Sequence, residues 1–229
     1  MRHAKLLALS LAALAAASPL AAQRGDPTMT VTGSGKLPDG WMLRFDPTRG
    51  GAPAPPMNAV SFETMGSGFH VKSGPAAIYY NTKDMGSGQF QITATFKQSK
   101  SMQHEAFGVF IGGANLQDST QSYIYMVIKP FDGTVRIARR NSNGRPTDIV
   151  AENAAAPEAA INRDSPTDGS ATNTLLIHVA KDTVHFAING KVVKAIAKSA
   201  LGGSTDGQAG LRINHNMDLH IDGYAVKKG

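Results

Sequence analysis

The stretch TNTLLIHVAKDTVHFAINGKVV, residues 172–193, decides the fold class of this chain. Apolar and polar residues alternate in TLLIHVA (174–180) and again in TVHFAI (183–188), which is the period of a half-buried β-strand. The second run ends at Asn189-Gly190, a pair that favours a tight hairpin because both residues tolerate a positive φ. The stretch therefore predicts antiparallel strands joined by short turns.

The same alternation recurs along the chain outside this stretch. It is found in FQITATF (90–96), FGVFI (107–111), YIYMVI (123–128) and TVRIA (134–138). Asp132-Gly133 supplies a second hairpin signal. The best helix candidate, 150–162, is interrupted by Pro157. These patterns predict an all-β chain that folds as an antiparallel sandwich or barrel.

The first residues of the chain have the pattern of an export signal. A basic start precedes the apolar run LLALSLAALAAA (6–17), and small residues extend to Ala22. The run is shorter than the roughly 20 apolar residues that span a bilayer. No second apolar run of spanning length follows, so we expect an exported chain, periplasmic or extracellular, without a transmembrane anchor in its mature form. The expected organisation is a signal peptide at 1–22, a flexible lead-in at 23–35, and a single domain at 36–229 with a long loop or lid at 141–173.

Composition excludes several functional classes. The chain of 229 residues contains no cysteine, which excludes disulfides, thiol catalysis and zinc–thiolate sites. Its formal charge is +6, but the basic residues are dispersed, so we expect no nucleic acid partner. The sequence also lacks a phosphate-binding loop, a dinucleotide fingerprint, HExxH and GxSxG.

The order of the strand-like segments, closed by GQAGLRINHNMDLHIDGYAV (207–226), resembles a known superfamily. It resembles the concanavalin A-like, laminin-G-like jelly rolls of secreted bacterial proteins, and it is similar to their keto-disaccharide hydrolase-type domains. The resemblance covers roughly residues 40–227 and implies a two-sheet antiparallel jelly-roll β-sandwich with one concave face. It also implies carbohydrate as the class of ligand, although a fold alone does not imply a function.

One branch of that superfamily, the glucanases, places two Glu around an Asp at alternating positions of a strand. Two of these side chains act as nucleophile and acid. The four Glu of this chain do not form such a pattern: Glu63, Glu105, Glu152 and Glu158. The sequence therefore argues against glucanase-type hydrolysis.

The segment GLRINHNMDLHIDGYAV (210–226) concentrates more candidate ligand residues than any other. If NHN (214–216) is the turn of a hairpin, Arg212 faces Asp218 and Gly210 faces His220. In such a hairpin, the following side chains point toward the core: Leu211, Ile213, Met217, Leu219 and Ile221. The polar side chains Asp218, His220 and Asp222 then share the other face, as an ordinary polar surface, a sugar-contacting surface or a metal site.

Two further groups are candidates for chemistry or binding. Tyr123 and Tyr125 share one face of their strand, and Arg140 ends the next strand, a combination that suits sugar rings and hydroxyls. His104 and Glu105 could act as an acid–base pair, although adjacent strand residues point to opposite faces. Each of these groups is also explained by ordinary strand packing or a solvated surface.

The polar loop RDSPTDGSATN (163–173) offers another alternative. Asp164 and Asp168 could supply oxygen ligands to Ca²⁺, but their spacing does not match an EF-hand loop. Loop polarity alone also explains these residues. No other cofactor is predicted.

These observations lead to one leading hypothesis and two alternatives. The leading hypothesis is an exported, lectin-like carbohydrate-binding module, with these contacts: Tyr123, Tyr125, Arg140, His104, Asn214, His215 and His220. The first alternative is a hydrolase or lyase acting on a sugar derivative, with His104, Glu105, His220 or Asp218 as acid, base or metal ligand. The second is a non-catalytic envelope module that binds another protein. The sequence does not determine the sugar or the oligomeric state.

Overall fold

The computed structural model describes residues 31–48, 50, 52–99 and 105–229. Within these ranges fifteen strands form two antiparallel sheets, and no α-helix occurs. In chain order the strands are β1 (Trp41–Phe45), β2 (Val60–Met65), β3 (Gly68–Ser73), β4 (Ala77–Asn81), β5 (Met85–Gly86), β6 (Phe90–Gln98), β7 (Phe107–Ala114), β8 (Ser122–Lys129), β9 (Thr134–Arg140), β10 (Thr147–Val150), β11 (Ala171–Val179), β12 (Thr183–Ile188), β13 (Lys191–Ala197), β14 (Gly207–Ile213) and β15 (Asp218–Lys228). Two short 3₁₀ turns lie at Met57–Ala59 and Lys198–Ala200.

The two sheets alternate strands from distant parts of the chain. Sheet I has the order β1-β4-β14-β7-β8-β9-β10, and the short β5 pairs with β14. Sheet II has the order β13-β12-β11-β6-β15-β3-β2. Only some neighbours, such as β8 and β9, are consecutive in sequence. The all-β, two-sheet antiparallel sandwich expected from the sequence is confirmed.

Both sequence-predicted hairpins are present. Asn189 and Gly190 connect β12 to β13 with φ values of 50° and 80°, the left-handed geometry that this pair tolerates. Gly133, with φ 72°, lies in the turn between β8 and β9. The two turn signals therefore correctly predict that β12 pairs with β13 and that β8 pairs with β9.

The period-2 alternation divides each inner strand into two faces. In β8, Ile124, Met126 and Ile128 point into the core between the sheets. On sheet II, the predicted inner face of β6 is buried throughout: Phe90, Ile92, Ala94 and Phe96. The predicted inner face of β7 is likewise buried: Phe107, Val109 and Ile111. The apolar positions of the alternation therefore form the core, as predicted.

The predicted hairpin at 210–226 is wrong. Strand β14 pairs with β4 and β7 in sheet I, whereas β15 pairs with β3 and β6 in sheet II. The chain between them crosses from one sheet to the other, so Arg212 does not face Asp218 and Gly210 does not face His220. The five apolar residues assigned to the core are nevertheless buried: Leu211, Ile213, Met217, Leu219 and Ile221. An inward-facing apolar row looks the same whether the chain turns within a sheet or crosses between sheets.

The predicted loop at 141–173 is more ordered than expected. It contains β10, which pairs with β9, and β11 begins at Ala171. Between them, Ala160 and Ile161 insert into the core. Ala160 and Ile161 therefore anchor this middle part to the core, whereas the other residues of 151–170 are exposed or half-buried.

The predicted signal peptide (1–22) and most of the lead-in (23–35) lie outside the described residues. Among the residues that the structure does describe, no helix is long and apolar enough to cross a membrane.

Candidate functional site

Sheet I carries a second buried cluster on the face that points away from the core. Its members are Ile78, Tyr80, Ala106, Phe110, Leu116, Tyr123, Tyr125, Val127 and Ala138. An outer sheet face is normally polar and solvated, so this burial means that other parts of the chain cover it. The segments that follow β1 and β9 border this face.

Between these two segments lies a cleft of about 450 Å³, which we call the arginine cleft. The side chains that line it include Asp46, Tyr125, Arg136, Arg140, Asn143, Arg145, Arg212 and Asn214. Four of these carry a guanidinium group and one carries a carboxylate. The outer face of sheet I thus presents a polar, strongly cationic opening beside a buried aromatic cluster.

Strand register explains how residues far apart in sequence meet here. Arg212 of β14 lies opposite Gly108 of β7, which lies opposite Val127 of β8. Val127 in turn lies opposite Arg136 of β9. Because paired residues on antiparallel strands share a face, one transverse row carries both arginines. A Cβ atom at Gly108 would overlap the Met126 carbonyl oxygen, so only glycine allows the backbones of β7 and β8 to approach this closely in the row.

Arg212 and Asp46 form a bidentate ion pair in the cleft. Arg212 Nη1 and Nη2 donate to the two Asp46 carboxylate oxygens at 2.8 and 2.7 Å. Arg140 Nη2 donates to the same carboxylate at 3.4 Å. Only 6% of Arg212 and 4% of Arg140 is exposed, so both guanidinium groups are fixed in position.

The charge state of Asp46 follows from two opposing effects. Burial alone would raise the pKa of its carboxyl group, but the charges of Arg212 and Arg140, the Arg212 hydrogen bond and the charge of His215 together lower it. The net effect is a pKa below the ordinary value, so Asp46 is ionised at neutral pH.

Tyr123 holds the Arg140 side chain in position through a hydrogen bond. Arg140 Nε donates to the Tyr123 hydroxyl at 3.0 Å, and Arg140 Nη1 donates to the Gly144 carbonyl at 2.8 Å. Tyr123 is 2% exposed, and burial raises the pKa of its hydroxyl group. Its role in this arrangement is to orient a cation, rather than to offer a ring face to solvent.

Tyr125 lines the arginine cleft directly. The guanidinium carbons of Arg136 and Arg212 each lie 5.9 Å from its ring centroid, within the range of a cation–π contact. Burial raises the pKa of Tyr125, so its hydroxyl group is neutral and can donate or accept a hydrogen bond.

Three further polar side chains lie at the mouth of the cleft. Arg145 is exposed, and among the described residues it has no hydrogen-bond or ion-pair partner. Arg136 is paired with Asp148 at 2.6 Å. Asn214 Nδ2 donates to Glu105 Oε2 at 3.2 Å.

A second opening adjoins the first. It has a volume of about 570 Å³ and shares Asp46, Thr48 and Asn143 with the arginine cleft. Arg44 Nη2 donates to Asn143 Oδ1 at 3.0 Å along this shared border. The two openings thus adjoin one another, with room for more than one residue of a chain-like ligand.

The structure groups some of the sequence-predicted contacts at this site. Tyr125, Arg140 and Asn214 line the cleft, and Tyr123 lies beneath Arg140. His215 is exposed next to Asn214.

Two other predicted contacts are not part of this group. His220 belongs to β15 of sheet II, on the opposite sheet, so it cannot share the arginine cleft. His104 lies outside the described residues, and the proposed pairing of His104 with Glu105 lies outside them too.

The carboxylates of β15 form ion pairs across sheet II. Asp218 contacts His70 Nε2 at 3.1 Å, and Asp222 contacts Lys97 Nζ at 2.7 Å. His220 Nε2 lies 3.0 Å from Asp222 Oδ1. Asp218 and Asp222 thus pair with the neighbouring strands β3 and β6, whereas His220 contacts Asp222 within β15.

The two loop candidates for calcium each accept hydrogen bonds from other residues. Asp164 Oδ1 accepts a hydrogen bond from Gln98, whereas Asp168 Oδ1 accepts from the backbone and hydroxyl of Ser170. Within the described part of the chain, no group of three or more His, Cys, Asp or Glu could hold a metal ion.

The residues that sequence reasoning missed are Asp46, Asn143 and Arg145, together with the role of Arg212. Asp46 and Arg212 are 166 positions apart, so no local pattern links them. The sequence feature that could have pointed to Asp46 is its position as a single aspartate directly after an apolar strand, in LRFDP (43–47).

Comparisons with known proteins identify the fold. No family model matches the chain, and no curated protein matches its sequence. It is similar to the solved structure of carbohydrate binding module CBM66 from Bacillus subtilis, at 12% identity and a TM-score of 0.56, with 82% of this chain and 96% of that chain covered.

Two other solved structures show the same likeness. One is a Bacillus subtilis protein of unknown function with a galectin-like fold, at 12% identity and a TM-score of 0.54, covering 87% of this chain and 93% of that one. The other is a glycoside hydrolase family 16 endo-glucanase from Bacteroides ovatus, at 13% identity and a TM-score of 0.53, covering 81% and 94%. At these identities the likeness concerns the fold alone, and the chain is a two-sheet antiparallel jelly-roll β-sandwich.

Proposed function

We propose that this protein is a carbohydrate-binding module and that the arginine cleft is its ligand site. The observation that carries the proposal is the cleft itself, where two buried guanidinium groups and a neutral phenol are fixed at one opening. Guanidinium and amide groups donate hydrogen bonds to sugar oxygens, and a tyrosine offers both an apolar ring and a polar tip. The likeness in fold to a carbohydrate binding module is consistent with this proposal.

The chemistry of the cleft favours binding over hydrolysis. Glycoside hydrolysis ordinarily needs two carboxyl groups on either side of the scissile bond. Asp46 is the one carboxylate among the described residues that line the cleft, and Arg212 and Arg140 hold it in its ionised form. An aspartate held in this way is a poor proton donor, so we propose a non-catalytic module.

A glycan array tests the proposal, using the purified protein and two cleft variants. Arg136→Gln and Asn214→Ala change side chains at the cleft, and His178→Gln changes the outer face of sheet II as a matched control. We expect saccharide binding that both cleft variants weaken and the control retains. Absence of binding across a broad array, or equal loss in the control, would contradict the proposal.

The alternative of an enzyme is tested on the same samples. We expect no release of reducing ends from any bound saccharide, because the cleft lacks a pair of carboxyl groups. Release that Glu105→Gln abolishes would replace the binding proposal with a hydrolase or lyase.

We also propose that the protein acts outside the cytoplasm. The basic start and apolar run of residues 1–22 support this location. Mass spectrometry of the protein from an exported fraction is expected to show cleavage near Ala22. An intact amino terminus in the cytoplasmic fraction would contradict it.

A further inference from the structure

We infer that the ligand of the arginine cleft is an acidic saccharide, whose carboxylate or sulfate groups bind the cluster of Arg136, Arg140, Arg145 and Arg212. This inference rests on the proposed function and specifies its substrate class. It is carried by the charge balance of the cleft and by the bonding of each guanidinium group.

The charges that line the cleft do not balance. Four guanidinium groups face one carboxylate among its described lining residues. Asp46 is shared by Arg212 and Arg140, so one negative charge serves two positive ones. Asp148, outside the lining, compensates Arg136. The cleft therefore retains an excess of positive charge, which a neutral sugar would leave uncompensated.

The buried arginines keep donors for a ligand. Of the five N–H donors of its guanidinium group, Arg140 uses three within the described part of the chain, to Tyr123, Gly144 and Asp46. Arg212 directs Nη1 and Nη2 to Asp46. Because their partners fix both groups, a ligand oxyanion would meet donors that lose little freedom on binding.

Arg145 completes the cluster from the mouth of the cleft. It is exposed, and the structure shows no partner for it within the described part of the chain. An exposed, unpaired cation at the entrance attracts a negatively charged ligand and can bind its oxyanion through bidentate hydrogen bonds.

The neighbouring groups suit a sugar as the carrier of the charge. Tyr125 lines the cleft with a neutral phenol, and Asn143 and Asn214 offer amide groups at its border. A simple inorganic anion would not use these groups, whereas the ring and hydroxyls of a saccharide would. The adjoining opening of about 570 Å³ leaves space for a further sugar residue.

Matched polymers test the inference with the intact protein. Affinity is measured by isothermal titration for polygalacturonate and its fully methyl-esterified form, for dextran sulfate and dextran, and for poly-L-glutamate. We expect binding to at least one charged saccharide, with little binding to its neutral counterpart or to poly-L-glutamate. Comparison of polygalacturonate with dextran sulfate shows whether the cleft binds a carboxylate or a sulfate group.

Protein variants test whether the arginine cleft is responsible. Arg145→Gln removes an exposed, unpaired cation, so the fold is unaffected and affinity is expected to fall about tenfold, the loss typical of one charge-assisted hydrogen bond. Lys97→Gln removes the same charge from sheet II and is expected to change affinity less than twofold, about the effect of a distant screened charge.

Each contrary outcome has a distinct meaning. Equal binding of charged and neutral saccharides, lost in Arg145→Gln or Arg136→Gln, overturns the acidic specificity and leaves the proposed function standing. Equal binding of poly-L-glutamate, or equal losses in Arg145→Gln and Lys97→Gln, shows non-specific attraction of polyanions and overturns the inference. No binding to these polymers or to a broad glycan array overturns both.

Discussion

At the scale of single residues, Asp46 organises the arginine cleft. It accepts hydrogen bonds from Arg212 and Arg140, which come from two different strands of sheet I. Without its charge, two almost fully buried guanidinium groups would repel one another. A buried ion pair is weak evidence for stability, but removing one partner is costly because it leaves the other uncompensated.

The first prediction concerns Asp46→Asn at neutral pH. We expect the free energy of unfolding to fall by about 2–4 kcal/mol, since the substitution leaves Arg212 buried without a counter-charge. Urea denaturation at pH 7 measures the loss. A change below about 0.5 kcal/mol, the usual effect of a surface substitution, would contradict this role of Asp46.

The second prediction concerns the pH dependence of the same pair. The pKa of Asp46 is lowered in the folded protein from an ordinary value of 3.8, so its stabilising effect is complete above that value. The effect is lost as the pH falls through the lower folded value. The difference in stability between the wild type and Asp46→Asn should therefore shrink below about pH 4. A difference that grows in acid would show the opposite sign and contradict the assignment.

At the scale of elements, turns and irregular segments determine how the sandwich is closed. Asn189, in the hairpin between β12 and β13, accepts a hydrogen bond from the Thr174 backbone and donates to Ala160 and Asn173. These bonds attach the segment after β10 to sheet II. One residue thus serves both the turn geometry and the tertiary contact.

The third prediction separates these two roles of Asn189. Asn189→Gly keeps the positive φ and removes three hydrogen bonds, so we expect a loss of about 2 kcal/mol in unfolding free energy. Asn189→Ala removes the bonds and also strains the turn, which adds about 1 kcal/mol. Chemical denaturation of both variants measures the order. Equal losses would mean that the left-handed geometry contributes nothing.

The fourth prediction concerns the close approach of strands β4 and β14. A Cβ atom at Gly210 would overlap the Tyr79 carbonyl oxygen and lie 2.7 Å from Phe110 Cε1. Gly210→Ala should therefore destabilise the protein by about 1–3 kcal/mol, the usual cost of overpacking. Gly203→Ala is the control, because its nearest atom would be Arg139 Cδ at 3.3 Å, on a flexible side chain. Thermal melting compares the two, and equal shifts would contradict the packing argument.

At the scale of the whole molecule, one core joins the two sheets. Phe96 of sheet II and Phe107 of sheet I lie with ring centroids 4.9 Å apart, and both are fully buried. Tertiary packing of this kind makes unfolding cooperative, because neither sheet keeps its apolar face covered alone.

The fifth prediction tests this cooperativity. Phe107→Ala should lower the unfolding free energy by about 3–5 kcal/mol, the cost of a large cavity. Its denaturation curve should coincide when followed by circular dichroism and by the fluorescence of Trp41, the single tryptophan. Two separate transitions would show that the sheets unfold independently.

The sequence by itself determined the fold class, the inner faces of the strands and the two tight hairpins. The physical reason is that these features are local: alternation reports one buried face, and Asn189-Gly190 and Asp132-Gly133 favour particular turn geometries. The resemblance of the segment order further predicted a jelly roll, and the structure confirmed that prediction. About half of the expected contact set was found at one opening, because Tyr125 and Arg140 lie on neighbouring paired strands.

Only the tertiary structure decided that β14 and β15 belong to different sheets, and that the cleft is built around Asp46 and Arg212. Alternation records which side of a strand is buried and carries no information on the partner strand, so the crossing at 214–217 looked like a hairpin. The pairing of two charges 166 positions apart depends on chain connectivity through the whole sandwich, and no local pattern encodes it.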